Sequence, residues 1–109
     1  MRVRSILAVA IVASCAMGAP APHHPKPRQH VITIEQMRFQ PQSVEVAPGD
    51  TIVWVNKDLV PHTATSKTAA FDSKLIGANA SWKYTVRNRG TLPYTCTYHP
   101  TMTGTIRVR

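Results

Sequence analysis

The feature that most constrains this chain is a two-residue alternation of apolar and polar side chains, broken at short intervals by turn signals. Thr105-Ile106-Arg107-Val108-Arg109 alternates strictly, and a strand is the element that sends successive side chains to opposite faces. The same period runs through Trp82, Tyr84 and Val86 and again through Leu92, Tyr94 and Cys96, with Asn88-Arg89-Gly90 turning the chain between them. Ile52 and Trp54 share a face of Thr51 to Val55, and Val44 alternates with Val46. Val31 to Glu35 is rich in β-branched residues, a short run carries Met37 and Phe39, and Pro41 and Pro48-Gly49-Asp50 break the pattern. Thr68 to Ala80 contains Gly77 and sustains no helical period, so a loop is expected there. Short strands between turn signals predict an all-β fold, a β-sandwich with Phe39, Trp54 and Trp82 in its core.

The first residues are organised differently. A short basic start, Met1-Arg2-Val3-Arg4, precedes an apolar run from Ile6 to Ala13. A membrane-spanning helix needs ~20 apolar residues, and this run is too short. A signal peptide over 1–18 fits, cut after Gly18. The rival is a lipoprotein signal ending before Cys15, because Val12-Ala13-Ser14-Cys15 resembles a lipobox. Residues 19–30 are rich in proline and read as a semi-rigid spacer, with His23, His24 and His30 able to catch a metal ion loosely. That leaves 31–109 as the folded domain, roughly 80 residues, a size at which one core is workable. A periplasmic or otherwise exported protein is expected, touching a membrane only through a lipid on Cys15.

The formal net charge is +8, and loss of Arg2 and Arg4 with the leader would lower it to +6. Arg38, Lys57, Lys67, Lys74, Lys83, Arg87, Arg89, Arg107 and Arg109 are scattered along the chain, without a basic run or helix, so no nucleic acid is expected as partner. Attraction to an acidic protein partner fits better. A monomer is expected.

Either cleavage leaves Cys96 as a lone thiol in an exported domain, where cysteines are normally paired. It begins the run Cys96-Thr97-Tyr98-His99-Pro100-Thr101-Met102, which sets a thiolate, an imidazole and a thioether at three-residue steps, and Pro61-His62 follows the Thr51–Asn56 strand. Singly, each is commonplace. Together, two histidines, one cysteine and one methionine suit copper in both oxidation states and mark an electron-transfer site. Zinc fits worse, because the methionine would be idle. Cys96 and His99 share one tight loop with no separate base and orienting group, so the chain is not expected to be an enzyme.

Cys96-Thr97-Tyr98-His99-Pro100-Thr101-Met102-Thr103-Gly104 resembles the ligand loop of small cupredoxins of the type 1 blue-copper class, amicyanin-like and plastocyanin-like proteins among them. Met37-x-Phe39-x-Pro41, Pro48-Gly49-Asp50 and Trp54-Val55-Asn56 are similar to that family's N-terminal half, so the likeness spans 31–109. The resemblance implies a Greek-key sandwich holding one type 1 copper ion, with His62, Cys96 and His99 equatorial and Met102 axial. It also implies a protein that shuttles single electrons between exported redox partners. His99 would reach solvent within an apolar docking patch including Pro61, Pro93 and Pro100. The alternative is copper tolerance or delivery, with His23, His24 and His30 as the entry point. One position departs: Thr63 stands where amicyanin and plastocyanin carry an asparagine that ties the ligand loops together. The N–H of residue 63 is still expected to reach the Cys96 sulfur.

Overall fold

The computed structural model describes residues 8–14, 18 and 26–109; most of the expected leader, with Cys15, and the spacer residues His23 and His24 lie outside the described residues. Residues 8–14 and 18 belong to no regular element. The rest forms eight strands: β1 (Gln29–Glu35), β2 (Arg38–Gln40), β3 (Ser43–Val46), β4 (Thr51–Asn56), β5 (Thr65–Ser66), β6 (Ser81–Thr85), β7 (Gly90–Thr95) and β8 (Thr103–Val108). They make two four-stranded sheets, β2-β1-β4-β6 and β3-β8-β7-β5. Connections pass repeatedly from one sheet to the other, as in a Greek-key sandwich. The all-β sandwich expected from the alternation is the fold observed.

Period-two patterning puts Ile32 and Ile34 of β1, Ile52 and Trp54 of β4, Tyr94 of β7 and Ile106 of β8 at full burial between the sheets. Phe39 and Trp54 are core residues, as predicted. Trp82 is only partly buried, because β6 is an edge strand, and it stacks on Tyr84 with the rings 7° from parallel. Tyr94 takes the central aromatic place instead, edge-on to both Phe39 and Trp54. Burial pushes its phenol far up, and a weak contact from the Trp54 N–H offsets this only in part. Directly across the ladder, Gly104 makes room for the Tyr94 ring: a methyl at that position would sit 2.3 Å from it. The stretch Thr68 to Ala80 is a loop, as expected, and tucks Phe71 and Ile76 into the core.

Strand β1 begins at Gln29, two residues before the expected boundary, so His30 belongs to the domain and not to the spacer. The reason is the parallel ladder with β4, which pairs Gln29 with Thr51 and His30 with Ile52 whatever their side chains. His30 Nε2 lies 2.9 Å from Asp50 Oδ2, and this carboxylate also accepts N–H bonds from Arg28 (2.9 Å) and Ala47 (3.0 Å). Burial opposes ionisation of Asp50, but these bonds outweigh it and hold its pKa down to about 2. Because the folded value lies below the ordinary carboxylate value of ~3.9, the contribution is complete above that pH. It is lost as pH falls toward the folded value. Asp50→Asn is therefore expected to lower stability by about 1–3 kcal/mol at neutral pH. The deficit relative to the parent should shrink in acid, as checked by denaturant unfolding across pH; a pH-independent deficit would contradict the assignment.

Candidate metal centre

Two connections meet at one end of the sandwich. One follows β4 through 57–64, and the other is the loop from Cys96 to Met102 that joins β7 to β8. Asn56, fully buried at the end of β4, organises the first. Its side-chain amide donates to Val60 O (2.9 Å) and Ile76 O (3.0 Å), and its carbonyl accepts from Asp58 N–H (2.9 Å). A reciprocal backbone pair between His62 and Ile76, at 3.1 and 2.7 Å, then fixes where the imidazole points. The second loop closes on itself: Cys96 N–H donates to Met102 O (3.1 Å) and Met102 N–H donates to His99 O (2.8 Å). The Thr95 hydroxyl adds a 2.9 Å bond to the Met102 carbonyl.

These constraints bring together three of the four candidate ligands. The Nδ1 atoms of His62 and His99 each lie 3.8 Å from Cys96 Sγ, and the three donor atoms fall within 4.8 Å of one another. Metal bonds of about 2.0 Å to nitrogen and about 2.3 Å to sulfur span such a gap with the ion slightly off the line between donors. His62 and Cys96 are fully buried, Met102 is nearly so, and His99 is half-buried. Met102 closes the loop from inside the core.

The tautomer of His62 follows from its partner. Asp58 Oδ2 lies 2.8 Å from Nε2, and a carboxylate only accepts, so Nε2 carries the proton and Nδ1 offers its lone pair toward the sulfur. Asp58 went unnoticed in the sequence, yet it joins two parts of the site. Its other bonds come from the N–H groups of Gln36 (2.8 Å) and Met37 (3.0 Å) in the β1–β2 turn. Both turn residues have positive φ, 53° and 59°. This conformation normally favours Gly or Asn, and here it aims two successive N–H groups at one anion. Burial raises the Asp58 carboxyl, but the Met37, His62 and Gln36 bonds outweigh it and leave the group below its usual range. Met37 thus belongs to a turn, although its apolar side chain read as strand.

Thr63 performs the tying role for which the family residue was missed. Its N–H points at Cys96 Sγ from 3.4 Å, as expected, and its hydroxyl accepts Thr97 N–H at 2.9 Å, binding the two loops across the sulfur. The same hydroxyl lies 3.2 Å from Thr97 Oγ1 and 3.0 Å from Thr65 Oγ1. The expected apolar patch needs correction. Pro61 and Pro100 are exposed near His99, but Pro93 sits in β7 opposite Thr105, three residues up the strand from Cys96. Leu59 (93% exposed), Val60 and Tyr98 supply the apolar surface instead. Only their place beside the ligands reveals them; singly, such residues carry no signal.

A family model described as a cupredoxin-like domain matches residues 6–108. Amicyanin from Paracoccus versutus is 30% identical over 83 residues, and amicyanin from Paracoccus denitrificans is 29% identical over the same length. In each case the match takes in 72% of this chain, and the chain spans 63% of the relative's length. Among solved structures, a proline-to-alanine variant of oxidised amicyanin superposes with a TM-score of 0.70 at 28% identity, covering 74% of this chain and 82% of that one. A methionine-to-alanine variant of amicyanin in its Cu(I) form gives 0.71 at 26% identity with the same coverage. Two imidazoles, a buried thiolate and a thioether are a soft donor set of the kind copper takes. The chain belongs to the cupredoxin-like family, and its cofactor is a single copper ion.

Proposed function

We propose that the chain is an exported one-electron carrier, its copper held by His62, Cys96, His99 and Met102, and that it performs no catalysis of its own. The observation that carries this reading is the enclosure of the sulfur. Cys96 is fully buried, receives the Thr63 N–H, and faces two imidazole nitrogens that the surrounding loops hold in place. Bound copper supplies a one-electron couple. The chain's task is to keep the donors in place in both states: Asp58 holds His62, the Thr63 hydroxyl holds the Cys96 loop, and the Thr95 hydroxyl holds its far end. Half-buried His99 offers the route outward. Exposed Leu59, Val60, Pro61, Tyr98 and Pro100 give a redox partner an apolar landing surface beside it. Electron-transfer encounters of this kind are small and weak, which lets the partner leave. The positive charge of the chain favours an acidic partner.

Copper tolerance or delivery fits less well. His30, expected as part of an entry point, is engaged by Asp50 at the other end of the sandwich. A ligand cysteine without solvent exposure is also poorly placed to hand its metal on.

Copper(II) added to the purified protein should give an intense visible absorption. Cys96→Ser should abolish that band, because it needs copper–thiolate overlap; a Cys96→Ser protein that stays intensely blue would sink the assignment. Met102→Leu should keep the colour and raise the reduction potential, measured by redox titration, because the thioether would help stabilise copper(II). Thr63→Val removes the hydroxyl acceptor but not the N–H to sulfur. It should keep the band while weakening copper affinity on the order of 10- to 100-fold against a competing chelator; unchanged affinity would show that the tie to Thr97 is dispensable.

A further inference from the structure

Positive charge collects at the end of the sandwich away from the metal. Strands β4 and β7 start there and run toward the ligands, while β8 starts at the ligand loop and ends there. Six-residue strands put the two ends roughly 20 Å apart. Lys26, Arg28, Arg89 and Arg109, from three separate parts of the chain, line one depression of about 460 Å³ together with Ala47, Pro48 and Asp50. In the sequence these cations form no basic run. The fold gathers them around one hollow.

Little opposes this charge. The Asp50 carboxylate is occupied by His30 and by the N–H groups of Arg28 and Ala47. Glu45 lies 3.9 Å from Arg109 Nε with both side chains more than half exposed, a pair of small strength. Among the described residues, no carboxylate lies within ion-pair distance of the Lys26, Arg28 or Arg89 side chain. Arg87, also exposed, follows β6 in the same turn as Arg89.

The chain itself indicates what the hollow faces. Lys26 lines it, so the proline-rich spacer joins the domain at this end, and the Cys15 of the lipoprotein reading lies beyond that spacer. The lining holds no large apolar or aromatic side chain of the kind that anchors a protein interface, whereas lipid phosphates need charge and access alone. We propose that this end is a membrane-facing surface that takes the phosphate headgroups of anionic lipids and turns the metal centre away from the bilayer. The inference is independent of the metal and of the carrier reading.

The test is co-sedimentation of residues 19–109, which carry all eight strands without the leader, with phosphatidylcholine vesicles, with and without phosphatidylglycerol, at low and high salt. Binding should favour the anionic vesicles and fall with salt. Each cation near a charged surface is worth roughly fivefold, so Arg28→Gln/Arg89→Gln/Arg109→Gln should lose on the order of 100-fold of that preference. Arg38→Gln/Lys67→Gln/Lys83→Gln, which removes the same charge elsewhere, should keep most of it. Replacing the same three arginines by lysine should also keep it, which guards against misfolding as the cause. On vesicles, hydrogen exchange should slow at 87–90 and not at 97–101. Equal losses in the two glutamine variants, or equal binding to neutral vesicles, would overturn the proposal. So would retention of inorganic phosphate or soluble polyglutamate by this end without a preference for anionic vesicles.

Discussion

The structure turns on one contact across the sandwich, the Thr63 N–H directed at the sulfur of Cys96. It joins the connection that leaves β4 to the loop that leaves β7, so each sheet contributes one wall of the metal centre. A buried sulfur without a donor would be a weakly solvated anion once deprotonated. With the N–H in place, and the Thr63 hydroxyl accepting the Thr97 N–H beside it, the two loops cannot separate without losing bonds on both sides. The remainder of the sandwich serves to hold these connections in register. Gly104 lets β8 pass beneath Tyr94, and Ile76 pairs with His62.

Asp58 shows how a site can recruit structure that has no direct part in it. Its carboxylate receives three donors from two places: the imidazole of His62 and two consecutive N–H groups in the turn between β1 and β2. The positive φ angles of Gln36 and Met37 are unfavourable for their residue types, and the anion helps to offset that cost. Backbone strain in the β1–β2 turn and the orientation of the His62 ring are thus stabilised by a single group.

Much of this was legible in the sequence, for identifiable reasons. Strands such as Thr103–Val108 and Thr51–Asn56 are long enough for alternation to show. Thr65–Ser66 is too short to carry a period and went unseen. The sulfur and nitrogen donors could be recognised from their types and spacing, because soft-metal chemistry accepts few alternatives. Asp58 could not: an acidic residue in a loop has no pattern, and its meaning depends on a turn some 20 residues away in the chain. His30 was assigned to the spacer because proline-rich sequence precedes it, although a parallel ladder can extend past the residues that best favour strand. Pro93 was placed by the family resemblance in a patch from which its position in β7 removes it.

The placement of β8 has a consequence for the order of events in the cell. This strand comes last among the eight, yet it lies in the interior of its sheet, parallel to β3 on one side and antiparallel to β7 on the other. Until it has emerged, β3 has no neighbour in its sheet, and Cys96, His99 and Met102 lack the hairpin that gathers them. Contacts this distant in sequence form late, because the intervening chain must first be closed into a loop. A chain made from its N-terminus therefore keeps the Cys96–Met102 loop open until β8 has followed it, and the Cys96 thiol is enclosed only when that strand has paired with β3 and β7.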